Sequence, residues 1–322
     1  MKKKISVIVA LTLVCALALC ACGGEGGADV AKLVFATGGT QGTYYAYGGS
    51  IASVINDASD TLDLTVTSTG GSQANVELLQ SGEAQIAFCQ NDVAYYAYTG
   101  TDLFADAEAD KDLCAVVSLY DELIQIVGTS DITDIAGLKG KRVSVGTAGS
   151  GTYFNARQIL EAYGMTMDDI VPSYLDFGGS TEAFKNGQID AFFVVAGIPN
   201  TAITDLATSN SFNILEVSDE ALAKLGENYS FYTRAIIPAG TYSNIAEDRA
   251  TLAIKAVVIC HKDLSADAVK EFLTQLFANK ADLAAANAKG ELLSYETALA
   301  GVNIPVHDAA KAYYEANGVT VG

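Results

Sequence analysis

From Leu33 onward, short apolar runs rich in β-branched residues alternate with longer stretches in which apolar positions recur every three or four residues. The short runs predict strands over residues 33–36, 64–67, 86–89, 114–119, 124–128, 142–146, 191–195 and 252–259. Helical spacing places Tyr44, Tyr47, Ile51 and Ile55 on one face of a helix over 43–55. It does the same for Ala156, Ile159, Leu160 and Tyr163 over 152–163, with Gly164 just past the end, where a helix C-cap favours glycine. Residues 93–98 form a further helix, and 266–288, rich in alanine and leucine, reads as helical throughout. Strands alternating with helices predict an α/β protein with mostly parallel strands.

The same grammar occurs twice. FATGGTQGTYY at 35–45 runs from a strand through a glycine loop into a helix, and VGTAGSGTYF at 145–154 repeats it one residue shorter. After each comes a glycine turn leading into an Ala-Phe strand, GEAQIAF at 82–88 and GQIDAFF at 187–193. Two matches in the same order predict two lobes of like topology. The first would hold 33–121 and take back 251–322, and the second would hold 122–250. The chain would then cross near 121–126 and 242–251, and those crossings would form the hinge.

The N-terminus carries Lys2, Lys3 and Lys4 ahead of an apolar stretch over 5–19, a secretory leader too short to span a bilayer. Leu19–Cys20–Ala21–Cys22 has the form of a bacterial lipobox, so 1–21 is expected to be removed and Cys22 lipid-modified. Residues 22–32 then form a glycine-rich tether. The expected location is extracytoplasmic, with the chain anchored to the membrane by lipid. Cleavage before Cys22 removes three lysines and no acid, so the formal net charge deepens from −19 to −22. Such a charge excludes nucleic acid and anionic lipid as electrostatic partners. Cys89, Cys114 and Cys260 lie in apolar runs without CxxC spacing and read as buried free thiols, not as a metal or redox site.

Candidate chemistry concentrates where strands hand over to helices. In open α/β sheets ligands bind beyond the C-terminal ends of the strands, at helix N-termini whose N–H groups and dipole favour anions. Gly38, Gly39 and Thr40 in the first loop, and Thr147, Ser150, Gly151 and Thr152 in the second, are accordingly candidate ligand contacts. Ser72 follows another glycine pair, and Gln90 emerges from an apolar strand with an amide able to donate and accept. Asp92 is read as the cap of the helix that follows. Tyr44 and Tyr120 are candidate wall residues with an apolar face and a polar tip. Neither loop ends in the Gly-Lys-Ser/Thr of a P-loop or carries a dinucleotide fingerprint. His261 and His307 stand apart from any nucleophile elbow or HExxH pattern, so neither an enzyme nor a cofactor is expected. The acidic run at Asp102, Asp106, Glu108, Asp110 and Asp112 lacks the glycine and terminal glutamate of a calcium loop and reads as a solvated edge, leaving no metal site.

Taken together, TGGTQGTYYAYGG, GEAQIAFCQNDVAYYAYTG, LYDE at 119–122, LKGKRVSVGTAGSGT, GQIDAFF with Gly197–Ile198–Pro199, IPAGTY at 237–242 and the late His307-x-x-Ala-x-x-Tyr-Tyr resemble the TAXI family. Its members are solute receptors of TRAP-type tripartite transporters, and the resemblance runs through nearly the whole chain after the leader. It implies a two-lobed type II periplasmic-binding-protein (Venus flytrap) fold, each lobe a mixed sheet flanked by helices, in a monomer that delivers a small solute to a membrane permease driven by an ion gradient. It also adds Gly197 to the candidate contacts and implies a glutamate-like amino acid or dicarboxylate as solute. Other TRAP receptors fork a carboxylate with a buried arginine. Here Arg142 and Arg249 read as surface residues, and Arg157, one turn past the second loop, is the arginine placed to reach inward. The anion is therefore expected to be held by N–H groups and hydroxyls. The alternative is an ABC-type receptor for an amino acid or vitamin precursor, whose lobes would look alike.

Overall fold

The computed structural model describes residues 30–321. The leader, Cys22 and most of the tether lie outside the described residues. The chain opens with β1 (Ala31–Ala36), α1 (Thr43–Ala58), β2 (Leu62–Thr67), α2 (Ser72–Gln80), β3 (Ile86–Gln90) and α3 (Asn91–Thr99). A long strand, β4 (Leu113–Gly128), follows. Then come β5 (Arg142–Ser144), α4 (Gly151–Ala162), β6 (Val171–Ser173), α5 (Phe177–Lys185), β7 (Ala191–Ala196), α6 (Thr201–Ala207), β8 (Asn213–Leu215), α7 (Asp219–Gly226) and β9 (Thr233–Ile237). The chain ends with β10 (Arg249–His261), α8 (Ala266–Ala278), α9 (Lys280–Ala286) and α10 (Asp308–Ala316). The predicted C-terminal helix is thus two helices, divided at Asn279. Among the described residues no helix is long and apolar enough to cross a membrane.

The strands lie in the order β2-β1-β3-β10-β4-β7-β5-β6, with β8 added to β4 and β9 to β10. Pairing is parallel within each flank, β2-β1-β3 on one side and β7-β5-β6 on the other. It is antiparallel wherever β4 or β10 takes part, so the sheet is mixed, as expected for this two-lobed fold, although the strand–helix alternation alone pointed to mostly parallel strands. The reason is the return of the chain: β10 comes back alongside β4 in the opposite direction.

β4 also corrects the expected hinge. Two strands separated by a crossing at 121–126 were predicted, yet residues 113–128 form one strand, buried throughout except at Asp121. The polar pair Asp121–Glu122 does not break it because alternation sends the two side chains to opposite faces. Asp121 faces out and pairs with Lys255 at 2.6 Å, whereas Glu122 is 2% exposed. The link between the halves is therefore a two-stranded ribbon. Register shifts between Ala256 and Val257 and between Val258 and Ile259 bend it near its middle.

Each flank buries both its faces. On the first, Phe35, Phe88, Ile51 and Phe272 pack beneath α1 and α8, with Phe35 and Phe88 stacked at 5.1 Å. The opposite face carries Val76, Val93, Tyr96 and Ile259 under α2 and α3. On the second flank, Val143, Ile159, Leu160 and Phe193 pack under α4, and Phe184, Phe192 and Ile203 under α5 and α6. Phe154 of α4 leaves its own flank and enters the α3 cluster, stacked on Tyr96 at 6.0 Å and Phe104 at 6.1 Å. Cys89, Cys114 and Cys260 are buried free thiols. Cys114 and Cys260 face each other in register across β4 and β10.

Candidate functional site

Five helices begin at one cavity of about 480 Å³ between the two flanks. Its lining includes the starts of α1 (Gly42, Thr43), α2 (Gly71, Ser72), α4 (Ser150, Gly151) and α5 (Asp176, Phe177), with Gln90 at the start of α3. The arrangement follows from topology, since each parallel strand ends here and passes into its helix through a glycine or polar turn. The starts differ in one respect. Ser150 caps α4 by accepting from Tyr153 N–H, and Asp176 caps α5 by accepting from Gly179 N–H. α1, α2 and α3 have no side-chain bond from the cap position; in α3 Asp92 takes the Val93 N–H instead, whereas the first N–H groups of α1 and α2 are left for other acceptors.

Most of the predicted contacts lie in this lining: Gly38, Gly39, Thr40, Tyr44, Ser72, Gln90, Thr147, Ser150, Gly151 and Thr152. Several do structural work as well. The Ser72 hydroxyl accepts from Gln90 N–H at 3.1 Å, and the Thr147 hydroxyl donates to Gly70 O at 3.0 Å across the cavity. Gly151 is needed for close approach, because a Cβ there would stand 2.0 Å from Gln90 Oε1 on the opposite flank. Gly146, at φ +86°, adopts a backbone conformation that a side chain would strain.

Four readings need correction. Tyr120 is outside the lining, buried with its ring edge-on to Tyr47 at 5.9 Å, because β4 continues and turns it into the core. Gly197 is also outside, covered by Lys289 and Thr43. Asp92 is not the cap of α3, a position held by Gln90; it is buried inside the first turn and accepts from Val93 N–H and from Asn155 Nδ2 of α4, each at 2.8 Å. Arg157 turns away from the cavity to Asp102 and Glu161. With that pair, and with Asp110 held by His261 at 3.0 Å and Gln80 at 3.1 Å, the acidic run is a solvated edge only in part.

The main residue missed is Glu122. It lines the cavity and accepts the Tyr44 hydroxyl at 2.7 Å. Burial pushes its carboxyl up to about 8, against the opposing effects of Tyr44, Gln90 and Lys289. Tyr44, stacked on Phe88 at 4.7 Å, is itself pushed well up by burial and by Glu122. The signal was present as an acid on the inward face of an apolar strand, but it required the strand to be read as continuous. Leu175, Asp176 and Phe177 were missed too, although Asp-Phe-Gly-Gly-Ser is a further loop entering a helix. Glu122 and Asp176 are the charged members of the lining, which includes no lysine, arginine or histidine among the described residues.

The flanks meet on both sides of the cavity. Lys289 Nζ donates to Ile198 O at 2.9 Å, and Asn200 Nδ2 donates to Gln41 O at 3.1 Å. On the far side, Asn155 joins Asp92 to the Tyr232 hydroxyl, and Gln158 donates to the Tyr96 hydroxyl at 3.0 Å. Burial raises Asp92 to about 7. The two flanks are thus joined by polar contacts on both sides of the cavity.

A family model described as NMT1-like matches residues 35–318. Among solved structures, the alkanesulfonate-binding protein SsuA from Xanthomonas axonopodis pv. citri, bound to MOPS, is similar with a TM-score of 0.51 at 17% identity, covering 89% of this chain and 84% of its own. A protein of Bordetella bronchiseptica RB50 gives 0.51 at 18% identity, covering 90% of each chain. A candidate L-cystine ABC transporter protein from Listeria monocytogenes gives 0.50 at 13% identity, covering 84% of this chain and 98% of its own. These likenesses establish the fold as the two-lobed, type II periplasmic-binding-protein architecture.

Proposed function

The chain belongs to the NMT1-like family, and on that premise we propose that it is an extracytoplasmic solute-binding protein that closes two lobes on a small polar solute and delivers it to a membrane permease. Lobe 1 comprises residues 33–121 with 251–322, and lobe 2 comprises 122–250. The observation that carries this reading is the cavity at the meeting point of five helix starts, three from lobe 1 and two from lobe 2. Helix N–H groups and loop hydroxyls supply hydrogen bonds from both lobes, so a solute stabilises the closed arrangement by bridging them. An affinity of ~1 μM, about −8 kcal/mol, is the scale expected for such a site.

For the permease, the L-cystine ABC transporter protein among the structural neighbours supports an ABC-type importer. The order of the sequence motifs favours a second reading, a TRAP-type permease. Uptake by vesicles reconstituted with the chain and its permease separates them, since ATP dependence supports the first and dependence on an ion gradient the second. Lipid anchoring at Cys22 is part of the same proposal, and Cys22→Ser is expected to release the protein from membranes. The receptor reading itself is tested by thermal shift of the purified chain against amino acids, 2-oxo acids and dicarboxylates. A saturable rise in Tm supports it, and no rise with any of these or with a metabolite extract removes it.

A further inference from the structure

The cavity is polar in an unequal way. On one side it meets the uncapped starts of α1 and α2, which present N–H donors. On the other it meets acceptors: the Glu122 carboxylate, and Gln90, whose Oε1 is buried without a hydrogen-bond partner in a side chain 3% exposed. Glu122 accepts from Tyr44, has the Gln90 side chain beside it as a second hydrogen-bonding neighbour, and joins no ion pair among the described residues. The nearest cation able to help, Lys289, directs its ammonium group to Ile198 O and lies outside the lining. A buried carboxyl group with few partners and a buried amide oxygen with none, both on side chains that line this cavity, are costly unless a donor arrives.

We propose that the solute carries a protonated amine, which is seated against Glu122 and Gln90 Oε1 while its anionic end takes the N–H groups of α1 and α2. This rests on the receptor reading and narrows it: amino acids and related zwitterions fit, whereas dicarboxylates and 2-oxo acids do not. A second carboxylate brought to this side supplies no donor: it meets like charge wherever Glu122 is ionised and leaves Gln90 Oε1 unpaired wherever it is not. An ammonium group there supplies the missing donors and the missing charge together.

Binding is then linked to a proton. The empty site holds Glu122 largely protonated, since burial raises it to about 8. The groups around it are Tyr44 of α1, Cys89 and Gln90 of β3, Asp92 of α3, Tyr120 and Asp121 of β4, and Lys289. Tyr44, Cys89 and Tyr120 are pushed up by burial and stay neutral, and burial lowers Lys289 against the pull of Glu122 and Asp121. Seating an ammonium ion requires the carboxylate, so a proton leaves Glu122 on binding. Affinity should climb up to about tenfold per pH unit between pH 6 and 8. Asp92, raised to about 7, charges over part of this range and adds to the negative potential that favours a cation.

The test is calorimetry on the purified chain with L-amino acids, pyruvate, 2-oxoglutarate, succinate and putrescine, run at pH 6, 7 and 8. Binding confined to amine-bearing compounds, tightening with pH, is the expected result, and Glu122→Gln should weaken it at least a hundredfold. Wild-type pH dependence needs no variant, so misfolding of Glu122→Gln leaves that evidence in place. A 2-oxo acid or succinate binding as tightly as its amino counterpart, or an affinity that falls from pH 6 to 8, overturns the proposal while leaving the receptor reading intact. Absence of any binder, in a metabolite extract as well, overturns both.

Discussion

Gly151 shows how a single hydrogen atom can decide whether the lobes meet. Gln90 Oε1 occupies the space a Cβ would need, and both residues are buried. Gly151→Val would act less by filling the cavity than by holding lobe 2 away from lobe 1. Ligand-induced stabilisation should disappear while the Tm of the unliganded chain changes by only a few degrees; a normal ligand shift in a thermal melt would remove Gly151 from the closing contact. Asp92 makes a different prediction. Its carboxyl rises from about 4 in the unfolded chain to about 7 in the fold because burial disfavours the charge. The folded state therefore binds the proton more tightly, and this residue's contribution falls as pH rises, by up to about 1.4 kcal/mol for each pH unit between those values. Asp92→Asn should remove that slope. Chemical denaturation of wild type and variant at pH 5, 6 and 7 should give a stability difference that moves steadily in the variant's favour, and a constant difference would contradict the assignment.

At the scale of elements, α4 carries the contact between lobes that no solute is needed to make. Phe154 lies fully buried between Tyr96 and Phe104, both of lobe 1. Phe154→Ala should cost about 3–5 kcal/mol of stability, read from denaturant unfolding. A loss below about 1 kcal/mol would mean the two lobes are not packed there in solution. Legibility also divides by element. The glycine loops could be read from the sequence because glycine, a following 3.6-residue period and an apolar strand before it are all local signals. Phe154 could not, because its partners lie 50 or more residues earlier and its own helix already had an apolar face. Glu122 and Tyr120 were misplaced for one shared reason. The polar pair in the middle of β4 resembles a strand end, and only pairing with Ile254 and Lys255 of β10 keeps the strand going. Asp92 looked like a cap because Asx residues near a helix start usually are; burial against Asn155 overrode that preference.

For the whole molecule, closure depends on few groups reaching across. Lys289 from lobe 1 donates to Ile198 O in lobe 2, its ammonium also 5.6 Å from the Tyr120 ring. Lys289→Met should shift the unliganded chain toward a more open form, seen as a larger radius of gyration in solution scattering, and weaken solute affinity roughly tenfold, about 1.4 kcal/mol. An unchanged radius and affinity would show that the ribbon of β4 and β10 holds the lobes without this contact. The ribbon itself, continuous and hydrogen-bonded along its length, limits motion to twisting and bending where loose linkers would allow translation.

The unequal capping of the helices gives this clamp a direction in time. Lobe 2 has already bonded the starts of α4 and α5 through Ser150 and Asp176, while lobe 1 keeps those of α1 and α2 open. A solute arriving at the open molecule finds uncapped helix starts on one jaw only. Lobe 1 does the reading and lobe 2 does the shutting, so substitutions in the first should slow capture and those in the second should hasten escape.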